Sequence, residues 1–522
     1  MMTTTSDDVA GLLSKYGSAD ANLATFLCDG HDPADVAFTF IESDVTSRDV
    51  TYGELRDLSS RFATGLAEMG IGRGDRVGVL MSKRLELIVA LLGIWRLGAV
   101  HVPLFTAFAT PAIAMRVEAA EARVLITETD QRGKLDTLPG ITVIETGDGF
   151  DALVSEHEPL KDSVAVGGDG MMVQLFTSGT TGKPKGVPVS VKALASFVAY
   201  MTYGLDVSED DVFWNAADPG WAYGLYYAIL GPMAMGRRSL MLHAGFTPEL
   251  TMSVMREFGV TNFSAAPTVY RSLSKDPSVG GIALRRASSA GEPLTPDVLV
   301  WSEKALGVAV RDHYGQTEHG MVIVNAWHDD IREPLIPGSM GKPLPGFTAG
   351  IVEDQIGFDV AGSPLMWFSE YVDDPSKTAE RFTEDGAWYL TGDAGRVEDE
   401  SFYFSARNDD VIIMAGYRIG PFDVESVLVE HPSVMDVAVV GQPDDIRGEV
   451  IEAYVVLGEG ITGTPELESE LQKLVKDNFA AHAYPRTVHF VDQLPKTPSG
   501  KMQRFLLRRP RQGGSSARNS GQ

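Results

Sequence analysis

The sequence predicts a large α/β domain followed by a smaller α+β domain. Short apolar segments alternate with helical segments over most of the chain, which favours a largely parallel sheet flanked by helices. After about residue 408 the spacing changes, and strands and helices follow one another in a stretch typical of a small separate domain. The predicted boundaries are 1–408 for the large domain, 409–508 for the small domain and 509–522 for a disordered tail.

Hydrophobic spacing predicts the individual elements. Thr51, with Glu54 three residues later, forms a capping box before a helix at 56–68. The large domain then continues with a strand at 76–81, a helix at 85–97 and strands at 100–104, 122–127, 171–176, 239–242, 262–265 and 308–311. The small domain has predicted strands at 411–414, 434–440 and 452–456 and predicted helices at 423–430 and 466–479.

Composition excludes several classes of protein. The chain has 44 basic and 71 acidic residues and a net charge of −27, so nucleic acid and anionic membrane surfaces are not expected as partners. Its single cysteine, Cys28, excludes an internal disulfide and a cysteine-based metal cluster. The N-terminus has no apolar signal region, and the apolar stretch 87–95 is too short to span a bilayer. We therefore expect a cytoplasmic protein.

The clearest local signal is the segment 177–186, TSGTTGKPKG, which follows the apolar strand predicted at 171–176. Glycines let backbone N–H groups approach phosphate oxygens closely, and hydroxyls and lysines add donors and charge. The segment is not a Walker A loop, because Pro184 follows Lys183 and the glycine spacing differs. The predicted phosphate-binding residues are Thr177, Ser178, Gly179, Thr180, Thr181, Gly182 and Lys183.

This segment resembles the phosphate loop of the adenylate-forming (AMP-binding) superfamily, which includes acyl-CoA synthetases, luciferases and the adenylation domains of peptide synthetases. The resemblance continues in order through about residues 50–505 and is greatest to medium-chain acyl-CoA and acetyl-CoA synthetases. It implies a large domain of stacked β-sheets and helices and a small mobile C-terminal domain. It also implies a ligase that converts ATP, a carboxylic acid and CoA into acyl-CoA, AMP and pyrophosphate through an acyl-adenylate, with Mg²⁺ bound.

The resemblance implies further ATP contacts. The turn at 291–293 (GEP) would contact adenine, and in 312–318 (DHYGQTE) Thr317 would contact the α-phosphate while Glu318 binds Mg²⁺. Asp393 and Arg407 would bond the ribose. The complete implied set outside the loop is Gly291, Glu292, Pro293, Asp312, Tyr314, Gly315, Gln316, Thr317, Asp393, Arg407 and Arg418.

The small domain carries the remaining implied roles. Lys501, in 495–501 (PKTPSGK), resembles the family's catalytic lysine, whose ammonium group would act with Thr177 and Glu318 by neutralising charge during adenylation. Asp409 would mark the hinge for a rotation between the two half-reactions, and Gly416 and Tyr417 would contact CoA. Acetylation of Lys501 is predicted as an off switch. We expect a monomer or homodimer.

Two regions of the sequence bear on the acid. Trp214 and Trp221 lie in an aromatic segment that would line an acyl pocket, with plain core packing as the alternative. Asp218 in the same segment would bind an amino group or, as we favour, serve a structural role. Gly315 stands where acetyl-CoA synthetases have a tryptophan, so the sequence predicts an open pocket for short- or medium-chain or branched fatty acids. Gly315→Trp should then shift preference towards acetate; aromatic acids remain an alternative.

Two other functions stay open at this stage. One is an adenylating enzyme that loads a separate carrier protein, or a luciferase-like oxygenase; the other is a non-catalytic nucleotide-binding protein. The chain departs from the family pattern at 190–191, where a histidine is common, in a shortened hairpin at 357–366, and at Ala415, which replaces a common serine beside the CoA channel. None of these departures removes a residue assigned to adenylation.

Overall fold

A computed structural model describes residues 5–177, 185–407, 410–414, 417–444, 448–480, 483–496 and 502–508. The chain forms two compact units. The large unit contains the chain up to residue 352 together with 357–391 and 397–403. The small unit contains 353–356, 392–396 and the chain from residue 404 onward.

The strands confirm the predicted α/β character. In chain order they are β1 Val36–Glu42, β2 Ser47–Thr51, β3 Arg76–Leu80, β4 Val100–Leu104, β5 Val124–Thr127, β6 Thr142–Glu145, β7 Met171–Thr177, β8 Lys185–Ser190, β9 Phe213–Asn215, β10 Ser239–His243, β11 Asn262–Ala265, β12 Arg286–Ala290, β13 Arg311–Gln316, β14 Gly320–Val324, β15 Lys342–Pro343, β16 Ala349–Val352, β17 Gln355–Asp359, β18 Trp388–Leu390, β19 Asp393–Glu398, β20 Ser401–Arg407, β21 Ile412–Met414, β22 Tyr417–Ile419, β23 Val434–Asp444, β24 Gly448–Leu457 and β25 Thr487–Phe490.

Helices separate most of these strands. In chain order they are α1 Thr5–Tyr16, α2 Tyr52–Glu68, α3 Leu85–Arg96, α4 Thr110–Ala119, α5 Thr129–Arg132, α6 Asp148–Ser155, α7 Ala193–Ala199, α8 Ala222–Gly224, α9 Gly231–Met235, α10 Pro248–Glu257, α11 Pro267–Lys275, α12 Pro296–Ala305, α13 Pro375–Ala379, α14 Pro421–Leu428 and α15 Pro465–Asn478. Short π-helical segments lie at Thr25–Asp29, Tyr200–Gly204 and Leu225–Leu230.

Two sheets organise the large unit. A nine-stranded sheet has the order β15-β14-β13-β12-β11-β9-β10-β1-β2, and its strands from β13 to β1 pair in parallel. A six-stranded sheet has the order β6-β5-β3-β4-β7-β8, and its one antiparallel pair is β7 with β8. Loops at the carboxyl ends of parallel strands are where open α/β sheets bind ligands. The largely parallel arrangement is thus as predicted.

Burial explains the apolar stretch at 87–95. Every residue of α3 from Leu87 to Arg96 is buried, so a helix that is apolar on all sides belongs to the protein core. Arg96 is the buried exception, and its guanidinium is paired with Asp29. Within the described ranges, no helix has the length and apolar character required to cross a membrane.

The start of α2 matches its predicted cap only in part. The Thr51 hydroxyl accepts a hydrogen bond from the backbone N–H of Glu54 at 3.2 Å, as the capping box requires. The Glu54 carboxylate instead pairs with Arg48 on β2. Because Thr51 caps the helix directly, α2 starts at Tyr52, before the predicted start at 56.

The strand predicted at 308–311 was misplaced. The ladder begins at Arg311, which pairs with Ser288 on β12, and β13 continues to Gln316. Val310 is apolar because it packs in the core, and its N–H donates to the Ser302 hydroxyl, so it does not join the ladder. Apolar residues report burial and not strand pairing. As a result, residues 312–316 lie within a strand and do not follow one.

The small unit has its own core. A five-stranded sheet has the order β22-β21-β24-β23, with β25 paired to β24. Residues of this sheet pack with α14 and α15 in one hydrophobic cluster. The two helices and the strands β21, β23 and β24 correspond to the elements predicted from sequence, although β23 and β24 are longer.

Candidate active site

The predicted phosphate loop joins two neighbouring strands. Thr177 is the last residue of β7 and pairs with Lys185, the first residue of β8, so the residues between them span the end of an antiparallel pair. Just beyond, the backbone N–H of Val372 donates to the carbonyl oxygen of Gly186 at 2.8 Å. This bond fixes the segment that carries Tyr371 beside the base of the loop.

Glu318, the predicted metal ligand, is buried at this place. The Tyr371 hydroxyl donates to Oε1 of Glu318 at 2.8 Å, and Nε of Arg381 donates to the Tyr371 hydroxyl at 2.9 Å. The Lys185 ammonium lies 5.0 Å from the centroid of the Tyr371 ring. Burial, together with the nearby Arg381 and Lys377 cations, lowers the pKa of Lys185, while burial raises the pKa of Tyr371. The positive charges of Lys185 and Arg381 therefore lie near the Glu318 carboxylate.

The same network links two predicted motifs. Arg381 donates from Nη1 to the carbonyl oxygen of Thr391 at 2.8 Å, and the Gln316 side-chain amide donates to that oxygen at 2.9 Å. Tyr389 donates to the Gln316 amide oxygen at 3.3 Å. The predicted segment 312–318 and residues 389–391, just before the predicted ribose ligand Asp393, are thus hydrogen-bonded in the large unit.

The predicted adenine turn lies next to β13. Ser289 and Ala290 at the end of β12 pair with Asp312 and His313, so the turn that starts at Gly291 lies beside Asp312. Gly291 has a φ of 103°, a conformation that favours glycine. The resemblance implied that Gly291 contacts the ligand. The positive φ alone is enough to explain why a glycine stands at this position.

Buried acceptors around this turn test whether adenine fits. Oδ1 of Asp312, Oε1 of Glu292 and the Thr295 hydroxyl are buried and find no hydrogen-bond partner within the described part of the chain. Buried polar atoms normally have partners. Adenine carries both a donating amino group and accepting ring nitrogens, so it can partner these atoms, and the turn fits the adenine of ATP.

Protonation of Asp312 gives a testable pH dependence. Burial raises the pKa of the Asp312 carboxyl to about 8, whereas an aspartate in the unfolded chain titrates near about pH 4. Between these values the folded state holds one more proton, so raising the pH lowers the free energy of unfolding. We expect Asp312→Asn, which stays neutral at every pH, to lose this part of the slope.

Thermal unfolding of ligand-free protein at several pH values between about 5 and 8 measures the effect. The melting temperature of Asp312→Asn, relative to the unsubstituted protein, should rise steadily with pH. Asp297→Asn on α12 is a control, since Asp297 lies in an exposed first turn of a helix. Equal pH slopes for the Asp312 variant and the unsubstituted protein would contradict a proton held by Asp312.

The donor set fits one hard cation held mainly by a nucleotide. Among the described residues, no group of three or more His, Cys, Asp or Glu side chains is placed to hold a metal. Glu318 is a single buried carboxylate beside the phosphate loop. Mg²⁺ commonly takes one or two carboxylates together with substrate phosphates and water, so the site fits Mg²⁺ bound with ATP.

Of the two tryptophans assigned to an acyl pocket, Trp214 lies in the core. It is 2% exposed, belongs to the hydrophobic cluster under the nine-stranded sheet, and packs 5.1 Å from Phe263 between ring centroids. This is the core packing that the sequence left as the alternative. Trp221 is only partly buried and contacts Phe105 and Phe108, with ring centroids 5.1 and 5.4 Å apart. The acyl-pocket assignment of the two tryptophans stays a prediction, and Trp221 is the more accessible of the two.

Asp218 stabilises its own turn. Its Oδ1 accepts the N–H of Gly220 at 2.7 Å, and its backbone oxygen accepts the N–H of Trp221 at 3.1 Å. Burial raises the pKa of Asp218, and the positive charge of Lys83 offsets only part of that rise. Both features belong to the structural role that the sequence favoured over binding an amino group.

Gly315 is also constrained by the backbone of the neighbouring strand. A Cβ at residue 315 would lie 2.1 Å from the carbonyl oxygen of Gly320 and 2.7 Å from Cα of Met321. The strand pairing between β13 and β14 shifts register between Tyr314 and Gly315, which brings the chains this close. A side chain at 315 would therefore meet backbone atoms of β14, which is a second reason for glycine here. The open acyl pocket at Gly315 stays a prediction.

Other predicted residues belong to the small unit or lie outside the described set. Asp393 and Arg407 belong to the small unit, where Asp393 begins β19 and Arg407 ends β20. The backbone of Tyr417 and Arg418 lies in β22, but their side chains are outside the described set. The remaining predicted residues outside the described ranges are Ser178, Gly179, Thr180, Thr181, Gly182, Lys183, Asp409, Gly416 and Lys501.

Sequence reasoning missed Tyr371 and Arg381 and gave Lys185 no separate role. Tyr371 and Arg381 lie in irregular chain on either side of the short helix α13, where neither spacing nor a glycine-rich motif marks them. Lys185 stands in the loop motif itself, so its charge was the available signal. Only the fold brings these three side chains to Glu318.

Two family models match successive parts of the chain. The family model described as AMP-binding enzyme matches residues 29–363, and that described as AMP-binding enzyme C-terminal domain matches residues 423–501. An acetyl-coenzyme A synthetase from Bacillus subtilis (strain 168) is 35% identical over 490 residues, covering 88% of this chain and 84% of the relative. The mitochondrial acyl-coenzyme A synthetase ACSM3 of Mus musculus is 35% identical over 508 residues, covering 91% and 86%.

Solved structures give the same result. The crystal structure of an acyl-CoA synthetase from Brucella canis is 40% identical, covers 97% of this chain and 97% of its own, and superposes with a TM-score of 0.75. Its similarity extends over both units of the fold.

Proposed function

We propose that the acid substrates of this chain are short- or medium-chain fatty acids, straight or branched. The chain belongs to the AMP-binding enzyme family and is an AMP-forming acyl-CoA synthetase, an acid–thiol ligase. ATP and CoA are the other two substrates. The acid is activated as an acyl-adenylate, and the thiol of CoA then displaces AMP.

The observation that carries the ATP-dependent reaction is the junction at Tyr371. The Tyr371 hydroxyl bonds to the buried carboxylate of Glu318, and the N–H of its neighbour Val372 bonds to Gly186 at the base of the predicted phosphate loop. The junction and the Gly291 turn, with its unpartnered buried polar atoms, both lie in the large unit. A phosphate loop, a metal carboxylate and a base-binding turn together suit a nucleoside triphosphate.

The chemistry requires local positive charge. The chain carries a net charge of −27, which repels ATP, CoA and the carboxylate substrate alike. Lys185 lies over the ring of Tyr371 and Arg381 bonds to its hydroxyl, next to Glu318, and the resemblance implies Lys501 as a third cation. These cations screen the triphosphate so that the carboxylate oxygen can bond to the α-phosphorus while pyrophosphate leaves. Bound Mg²⁺, held by Glu318 and phosphate oxygens, would supply further neutralisation.

Two features favour an acid of modest length. The mitochondrial and bacterial relatives are named as acyl- and acetyl-coenzyme A synthetases. Trp221, with Phe105 and Phe108, offers a partly buried aromatic surface at the turn that follows β9. Each buried methylene adds about 0.8 kcal/mol of binding free energy, so such a surface discriminates among chain lengths.

Release of AMP and pyrophosphate from purified protein tests the proposal. The panel contains acetate, butyrate, isobutyrate, octanoate and benzoate, each with and without CoA. CoA-dependent turnover that is fastest on butyrate, isobutyrate or octanoate is expected. A preference for acetate or benzoate would overturn the substrate class while leaving the ligase reaction intact.

The same assay separates the two competing functions. Adenylation that CoA does not accelerate would favour loading of a separate carrier protein. ATP binding without adenylation of any acid would favour a non-catalytic nucleotide-binding protein.

A further inference from the structure

We propose that Tyr371 is a positioning residue that fixes the carboxylate of Glu318 for the metal–ATP complex, and that Arg381 sets the direction of the Tyr371 hydroxyl. The proposal rests on the proposed ATP-dependent function. It assigns a task to two residues that carry no recognisable motif.

Donor and acceptor chemistry fixes the direction of each bond. Arginine has only N–H donors, so the contact between Nε of Arg381 and the Tyr371 oxygen at 2.9 Å must use a lone pair of the phenol. The phenol proton is then directed to its other partner, Oε1 of Glu318, at 2.8 Å. The chain therefore runs one way, from Arg381 through Tyr371 to Glu318.

Burial keeps this arrangement rigid. Tyr371 is 1% exposed and Glu318 is 5% exposed, so water does not compete for the bond between them. The Tyr371 ring packs edge-on against Phe368 at 5.0 Å between centroids. Arg381 is held in turn by the carbonyl oxygen of Thr391.

One oxygen of the Glu318 carboxylate is thereby occupied by a hydrogen bond. Oε1 of Glu318 takes the phenol bond, which leaves Oε2 as the oxygen to bind a cation. Residues that hydrogen-bond to a metal ligand orient it, and their loss typically lowers metal affinity by about 10–100-fold. Lys185 above the Tyr371 ring places a positive charge on the loop side of the same unit.

Tyr371→Phe removes the hydroxyl and keeps the ring. We expect the affinity for Mn²⁺ in the presence of ATP, measured by electron paramagnetic resonance of free Mn²⁺ without acid or CoA, to fall by about tenfold or more. No turnover is needed for this readout. In pyrophosphate-exchange assays, the Mg²⁺ concentration for half-maximal rate should rise similarly, while the rate at saturating Mg²⁺ changes little.

Two variants complete the design. Tyr203→Phe is a matched control, because the Tyr203 hydroxyl also donates to a carboxylate, Oδ2 of Asp8 at 2.7 Å, outside the candidate site. Glu318→Gln gives the effect of losing the carboxylate itself. Wild-type Mn²⁺ affinity in Tyr371→Phe, or an equal loss in Tyr203→Phe, would overturn the proposal.

The outcomes also separate this inference from the function on which it rests. If no acid is adenylated but Mn²⁺ affinity still falls in Tyr371→Phe, the positioning role stands and the proposed reaction fails. If Glu318→Gln binds Mn²⁺ with ATP as the unsubstituted protein does, Glu318 is not the metal ligand and the inference fails.

Discussion

Replacing Lys501 with alanine should lower the rate of acyl-adenylate formation by about 10²–10³-fold, the usual loss when one preorganised electrostatic group is removed from a transition state. The carboxylate and the triphosphate are both anionic, and Lys501 is the cation that the sequence assigns to that step. ATP–pyrophosphate exchange with butyrate measures the step directly. Thioester formation from presynthesised butyryl-adenylate should be nearly unchanged, because that half-reaction does not use the lysine.

The described residues on either side of Lys501 are firmly held within the small unit. Lys496 pairs with Asp436, and the backbone N–H of Gln503 donates to the carbonyl oxygen of Pro495 at 2.9 Å. Arg504 pairs with Glu425 at 2.8 Å and with Asp410 at 3.3 Å. The substitution at 501 should therefore leave this anchorage intact.

Lys496→Ala is the matched control for the Lys501 substitution. It removes a lysine from the same segment, but one whose charge is already paired with Asp436. Exchange within about threefold of the unsubstituted rate is expected, since partly exposed ion pairs contribute about 0–1 kcal/mol. A normal exchange rate in Lys501→Ala would remove the catalytic assignment. Lys501→Gln, which imitates acetylation, should resemble the alanine variant if acetylation is an off switch.

Gly315→Trp should destabilise the large unit and reduce activity on every acid, without shifting preference towards acetate. The first added atom, Cβ, would lie 2.1 Å from a backbone oxygen of β14, and backbone atoms have little freedom to retreat. Overpacking commonly costs about 1–3 kcal/mol, and a direct backbone collision costs more. Thermal unfolding and turnover on acetate, butyrate and octanoate measure both effects.

A smaller substitution isolates the cause. Gly315→Ala introduces Cβ alone, whereas at Gly72 an added Cβ meets no atom within 4 Å. We expect Gly315→Ala to lower the melting temperature and Gly72→Ala to leave it nearly unchanged. If Gly315→Trp folds normally and turns over acetate faster than octanoate, residue 315 gates the pocket after all, and β14 adapts to the larger side chain.

Much of the fold could be predicted because buried positions are apolar and recur at the spacing of a helix or a strand. β4 and β11 match their predicted bounds, α3 ends one residue before its predicted end, and α15 is shifted by one residue at each end. β13 was misplaced because Val310 is apolar for packing and not for pairing. Hydrophobic patterns report which residues leave water, whereas strand pairing depends on a neighbour that is distant in the chain.

The residues of the candidate site were likewise predicted only in part. The segments 177–186, 291–293 and 312–318 stand out in sequence because tight turns and phosphate contacts require glycines, hydroxyls and charges at close spacing. Tyr371 and Arg381 give no such signal, since a tyrosine and an arginine ten residues apart acquire a role only through their contacts.

The sequence by itself determined the α/β class, the presence of a separate C-terminal domain, and the family with its ATP-dependent ligase chemistry. The tertiary structure decided that Trp214 packs in the core, that Gly315 is required by the backbone of β14, and that Arg381 and Tyr371 hold Glu318. The reason is physical. Class and chemistry depend on residue types and local spacing, while these three assignments depend on atoms brought within hydrogen-bond or van der Waals distance by the pairing of remote segments.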